Sequence, residues 1–213
     1  MQDPHKNQTV VQRGSPLEKA RGGVILIHGR GASAADILGL ADELQLPELA
    51  YLAPDAAGHA WYPNSFLAPL QQNEPWLTSA LNLLKTIVNQ VVDAGVPRNK
   101  IALMGFSQGA CLSTEFVARN PDRYAALVAF TGGLIGPEGT VFNYSGNLAG
   151  TPCFFGSSDP DAHVPWNRVE ESASVLSKLG GIVALRRYPG MPHTINDDEI
   201  VEARKLFSRI AGE

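Results

Sequence analysis

Cysteine is nearly absent from this chain: Cys111 and Cys153 are its only 2 among 213 residues. They lack the C-x-x-C spacing and the histidine neighbours of a zinc site. A disulfide scaffold and a structural metal are therefore excluded as organising elements, and both thiols read as small buried hydrophobes in a reducing compartment. Positive charge is not in excess either. The 17 Lys and Arg against 21 Asp and Glu leave a formal net charge of −4, which argues against a nucleic-acid groove or a stable association with an anionic membrane. Long hydrophobic runs are missing too; the longest are strand-sized or periodically interrupted, so no segment is expected to span a bilayer. Residues 1–14 contain no apolar stretch of the kind a signal peptide needs, and read as a polar arm with a short strand near residues 9–11. These absences point to a cytoplasmic protein. There is no internal repeat, low-complexity tract or linker, and 213 residues at 44% hydrophobic content can bury one sizeable core, so a single domain over residues 1–213 is expected.

What is present is an alternation of strand and helix patterns. Apolar runs predict strands at 24–28, 51–53, 101–105, 125–130, 151–155 and 183–188, with helices at 34–43, 76–94, 108–119, 165–179 and 196–211 between them. Leu81, Leu84, Val88, Val91 and Val92 mark an inward stripe on the second helix. Gly95, Gly180 and Gly212 stop three helices, and Pro121 follows a fourth. Such alternation predicts an α/β fold with a mostly parallel central sheet and helices on both faces.

The most specific segment is Gly105-Phe106-Ser107-Gln108-Gly109, placed directly after one of these strands and directly before a helix. A serine on so sharp a turn takes a strained backbone conformation, and side chains two positions either side would collide with neighbouring chain, hence the two glycines. The turn lifts the hydroxyl above the sheet edge as a nucleophile. A base and an acid should follow in the order Ser, acid, His. Asp159, in Gly156-Ser-Ser-Asp-Pro160, and His193, in Tyr188-Pro-Gly-Met-Pro-His193, each stand at the C-terminal edge of an expected strand. The run Val24-Ile-Leu-Ile-His-Gly-Arg-Gly31 supplies a second tight turn, so the backbone N–H groups of Arg30 and Gln108 are candidate oxyanion donors. His28 reads as a loop anchor, because His193 already fills the place of the base.

These residues resemble the α/β-hydrolase-fold esterases of the phospholipase/carboxylesterase family, relatives of acyl-protein thioesterases and dienelactone hydrolases. The resemblance spans most of the chain and rests on His28-Gly-Arg-Gly31, Gly105-Phe-Ser-Gln-Gly109, Gly156-Ser-Ser-Asp-Pro160 with Val164-Pro165, and Tyr188-Pro-Gly-Met-Pro-His193. It implies a triad of Ser107, Asp159 and His193. One departure keeps a second acid open: acyl-protein thioesterases usually run from Asp-Pro almost directly into an apolar residue and Val-Pro, whereas Asp161-Ala-His163 intervenes here. Dienelactone hydrolases use a cysteine nucleophile, which Ser107 argues against.

Two longer segments interrupt the alternation and are expected to form the pocket. Residues 54–75 carry His59, Trp61, Tyr62, Phe66 and Leu67, and residues 131–150 carry Leu134 as part of an opposing wall. Two-step acyl transfer on a small-molecule ester follows, needing neither metal nor organic cofactor. Small or medium acyl esters are favoured as substrates. A thioesterase or lysophospholipase acting on long acyl chains remains open, as does a non-catalytic ligand-binding protein on the same fold. A homodimer also stays open.

Overall fold

A strand that is apolar at every position can be satisfied only where helices cover both faces of a sheet, and Gly23–Ile27 (β2), Ile101–Phe106 (β4) and Ala126–Phe130 (β5) are of this kind. The computed structural model describes residues 3–212. It places these three strands at the centre of a seven-stranded sheet. Val10–Gly14 (β1) and Ala50–Pro54 (β3) lie to one side, with Pro152–Asp159 (β6) and Ile182–Pro189 (β7) to the other, in the order β1-β3-β2-β4-β5-β6-β7. Only β1 is antiparallel, with Val10 opposite Pro54 and Gly14 opposite Ala50; all other pairings are parallel.

Side-chain alternation along β2 sends Ile25 and Ile27 into one core and Val24 and Leu26 into the other. The first core is closed by Trp76–Asp93 (α2), Gln108–Arg119 (α3) and Trp166–Lys178 (α4), the second by Ala34–Leu44 (α1) and Asp197–Ala211 (α5). This is the α/β-hydrolase fold. The buried stripe of α2 includes the expected Leu81, Leu84, Val88 and Val91. Ser33 and Asp36 form a reciprocal capping box at the start of α1, and Asn196 and Glu199 form one at the start of α5.

Two expectations need correction. Strand β6 does not stop at residue 155 but continues to Asp159, hydrogen-bonded to β7 along its whole length with Asp159 opposite Pro189. The arm before β1 is also more than a polar tail; residues 1 and 2 lie outside the described residues, but His5 is fully buried. Its backbone N–H donates to Ser79 Oγ (2.8 Å), its Nδ1 accepts from the Ala57 N–H (3.1 Å), and its Nε2 faces the Trp61 carbonyl at 3.0 Å. These partners fit the neutral ring protonated on Nε2, and burial lowers the pKa of His5 in the same sense. Among the described residues, no helix is long and apolar enough to cross a membrane.

Candidate active site

Ser107 sits between β4 and α3 with φ 54° and ψ −119°, a conformation that costs a non-glycine residue on the order of 1–3 kcal/mol and persists only where the surroundings enforce it. The two glycines show how tight the turn is. A Cβ on Gly109 would lie 2.1 Å from the Ile27 carbonyl oxygen, and one on Gly105 would lie 2.4 Å from the Gly109 carbonyl. Because the obstacles are backbone atoms, no rotamer change relieves them. The Ser107 N–H donates to the Phe130 carbonyl (2.9 Å), which locks the elbow to β5.

His193 lies in the loop between β7 and α5. Its Nε2 is 2.9 Å from Ser107 Oγ and its Nδ1 is 2.7 Å from Asp161 Oδ2. Its ring also packs 5.0 Å from Phe106 and 5.1 Å from His163, centroid to centroid. The acid in contact with the imidazole is therefore Asp161 and not Asp159. Since β6 runs to Asp159, that residue is still part of the sheet; its side chain pairs with Arg187 of β7, and its carbonyl accepts from Gly190 N–H (3.0 Å) at the start of the histidine loop. Asp161 lies two positions on, where the chain is free to fold back toward the imidazole.

Asp161 is held by a complete set of donors. Oδ1 accepts from the backbone N–H groups of His163 and Val164, both at 2.8 Å, and Oδ2 accepts from Ser158 Oγ at 2.7 Å as well as facing His193. Burial acts to raise its pKa, but the donors from Ser158, His163, His193 and Val164 outweigh that and bring it down to about 2. The carboxylate is thus ionised across the physiological range.

The loop after β2 turns tightly beside the elbow. Gly31 N–H donates to the His59 carbonyl (2.7 Å) and Ala32 N–H to the Gly29 carbonyl (3.2 Å), while His59 Nδ1 faces the Ala32 carbonyl at 3.0 Å. Among the described residues the backbone N–H groups of Arg30 and Gln108 have no hydrogen-bond partner. His28 anchors the neighbouring segment: Nε2 accepts from the Ala56 N–H (3.1 Å), and Nδ1 faces the Gly29 carbonyl at 2.7 Å. Burial lowers its pKa.

A cavity of about 620 Å³ opens above Ser107. Tyr62 and Phe66 line it, as expected; Trp61 and Leu134 do not. Trp61 is fully buried, its indole N–H bound to the His28 carbonyl (2.8 Å) and its ring between His28 at 4.9 Å and His5 at 5.5 Å. Leu134 is also fully buried, its N–H on Ser172 Oγ (2.8 Å) and its carbonyl on Arg168 (3.0 Å). The wall expected from residues 131–150 comes instead from Phe106, His163 and Val164. The Gln108 side chain, which no sequence motif singles out, accepts from Trp61 N–H (2.9 Å) and donates to the Tyr62 carbonyl (2.8 Å), so it clamps the pocket segment to the elbow. Cys111 borders the cavity, but burial pushes its thiol, like that of Cys153, up to about 12, so neither is a thiolate at neutral pH. Among the described residues no cluster of His, Cys, Asp and Glu could hold a metal ion.

A strained serine at a strand-to-helix turn, hydrogen-bonded to a histidine that is in turn bonded to a buried carboxylate, defines a serine hydrolase. Residues 6–210 match the model of the Phospholipase/Carboxylesterase family, and the chain belongs to that family. It is 44% identical to a phospholipase/carboxylesterase from Dyadobacter fermentans, whose crystal structure superposes with a TM-score of 0.91 over 95% of this chain and 97% of that one. It is 26% identical to acyl-protein thioesterase 1 of Cryptococcus neoformans over 89% of this chain and 92% of that protein. At 18% identity the Bacillus cereus carboxylesterase shares the fold, with a TM-score of 0.75 over 96% of this chain and 95% of that one. The protein is an ester hydrolase of the serine type.

Proposed function

We propose that the protein hydrolyses small to medium carboxylic esters through an acyl-Ser107 intermediate. The observation that carries this reading is the continuous hydrogen-bonded chain from Ser107 through His193 to Asp161 at the wall of a cavity. His193 Nε2 takes the Ser107 proton as Oγ attacks the ester carbonyl; the carbonyl oxygen becomes an oxyanion facing the Arg30 and Gln108 backbone N–H groups. His193 then delivers that proton to the departing alkoxide, which leaves as the alcohol. A water molecule repeats the sequence on the acyl-enzyme, losing its proton to His193 and releasing the acid as Ser107 recovers its own. Asp161 keeps the histidine proton on Nδ1 and stabilises the imidazolium.

A second reading, a thioesterase for long acyl chains, is favoured by the relative named acyl-protein thioesterase 1. Rates across p-nitrophenyl esters of increasing chain length separate the two. An optimum at short to medium chains supports the first, and a rise continuing to long chains supports the second. We place the reaction in the cytoplasm, since the two cysteines are buried and unpaired.

A further inference from the structure

Among the described residues, the cavity above Ser107 is bordered by a fixed positive charge and by no negative one. Arg30 lines it with both of its guanidinium ends engaged: Nη1 donates to the Pro63 carbonyl at 2.9 Å and Nη2 to the Asn64 carbonyl at 2.6 Å. Both acceptors are neutral and belong to the same wall. Arg30 takes part in none of the ion pairs among the described residues, and no Asp or Glu lines the cavity. The Asp161 carboxylate is sealed behind His193 and its side chain is fully buried. A guanidinium carries five N–H donors in a rigid fork. The two carbonyls take two of them and orient the plane, leaving the others without a protein partner among the described residues. In the same wall Tyr62 is almost completely buried, with its hydroxyl beside the Cys111 thiol. A chain with net charge −4 that nevertheless keeps carboxylates off this wall presents an immobilised cation to whatever enters.

We propose that Arg30 selects substrates bearing a carboxylate, so that the enzyme prefers anionic esters to neutral ones of the same size. This rests on the esterase reading above. The planar fork matches a carboxylate, and pre-fixing it removes the ordering cost that a free arginine side chain would incur on binding. The carboxylate could sit on the acyl part or on the alcohol part of the ester, and the two cases can be distinguished by experiment.

Two matched pairs of esters test the proposal. Mono-p-nitrophenyl adipate against p-nitrophenyl hexanoate puts the charge on the acyl side; 4-acetoxybenzoate against methyl 4-acetoxybenzoate puts it on the leaving group. The readout is the charged-to-neutral ratio of kcat/KM in the wild type and in Arg30→Met, which cancels the intrinsic reactivity of each ester. In one pair the ratio should fall about tenfold in Arg30→Met, as expected for losing a charge-assisted hydrogen bond, and added salt should lower the wild-type ratio. Ratios unchanged in both pairs, with all four esters still hydrolysed, would show Arg30 to be only a strut for the 61–66 segment and overturn the proposal. Calorimetric titration with adipate and 4-hydroxybenzoate gives an independent answer. If no ester is hydrolysed, the esterase reading fails, and whether these anions bind the wild type more tightly than Arg30→Met still decides the role of Arg30.

Discussion

Exchanging each of two nearby aspartates for asparagine separates the geometry of this site from the assignment that its Asp-Pro motif suggests. In Asp161→Asn the side-chain oxygen is claimed by the backbone N–H groups of His163 and Val164, which Oδ1 accepts in the native protein. The amide nitrogen must then face Ser158 and His193, where Oδ2 now stands. An N–H pointing at His193 Nδ1 forces that nitrogen to be the acceptor and moves the ring proton to Nε2, against Ser107 Oγ, so the histidine can no longer take the serine proton. The fold should survive, because the two backbone bonds persist, while kcat should fall by about 10²–10⁴. In Asp159→Asn the loss is the ion pair with Arg187, whose side chain is 54% exposed; such a pair contributes about 0.2–1 kcal/mol, and activity should fall less than about tenfold. Steady-state kinetics on a p-nitrophenyl ester, with thermal melts to confirm folding, decides the matter. A larger loss in Asp159→Asn, or near wild-type activity in Asp161→Asn, would refute this reasoning.

Other perturbations test neighbouring parts of the site. Ser107→Ala should remain folded and lose about 10⁴-fold or more in kcat, and a sulfonyl fluoride should label Ser107 alone, read by peptide mass mapping. Gly109→Ala should cost at least about 3 kcal/mol, measured by denaturant unfolding, because its Cβ meets the Ile27 carbonyl oxygen rather than a movable side chain. The depressed pKa of Asp161, about 2, contributes stability that is fully present above the unfolded carboxyl value near 4 and is lost as pH falls through 2, about 2 kcal/mol in all; melts between pH 5 and pH 2 should lose that component in Asp161→Asn. Glu199 acts in the opposite sense: burial raises its pKa to about 7, so its folded form favours the proton and stability declines as pH rises from about 4 to 7. Glu199→Gln should flatten that decline and raise Tm at pH 8. Phe66→Ala should shift the acyl optimum to longer chains, whereas Trp61→Ala should destabilise the fold by about 3–5 kcal/mol.

The elbow was legible in the sequence because its constraint is local: two glycines, a serine and the switch from strand to helix pattern lie within a few residues. His193 was legible for a similar reason, at the end of a strand before a capped helix. The acid is not legible in the same way, because its position depends on where β6 stops, and Gly156-Ser-Ser-Asp159 carries none of the apolar pattern that marks a strand; it is held in the sheet by pairing with β7. Trp61 differs from its sequence expectation for another reason. An aromatic residue in an irregular segment looks like a pocket wall until its partners, His5 and His28, are brought in from distant parts of the chain. The role of the Gln108 side chain was invisible because both of its partners are backbone groups, which any sequence at those positions would supply.

That last feature bears on how such an enzyme can change. The clamp from Gln108 reaches the N–H of Trp61 and the carbonyl of Tyr62, so it does not depend on which side chains the pocket segment carries. Residues such as Tyr62, Ser65 and Phe66 can be exchanged to reshape the cavity while the same two bonds continue to hold the segment against the nucleophile. The protein thus keeps the part that recognises substrate and the part that performs chemistry on separate ledgers of mutation, joined by a contact that substitution of the recognising side chains leaves in place.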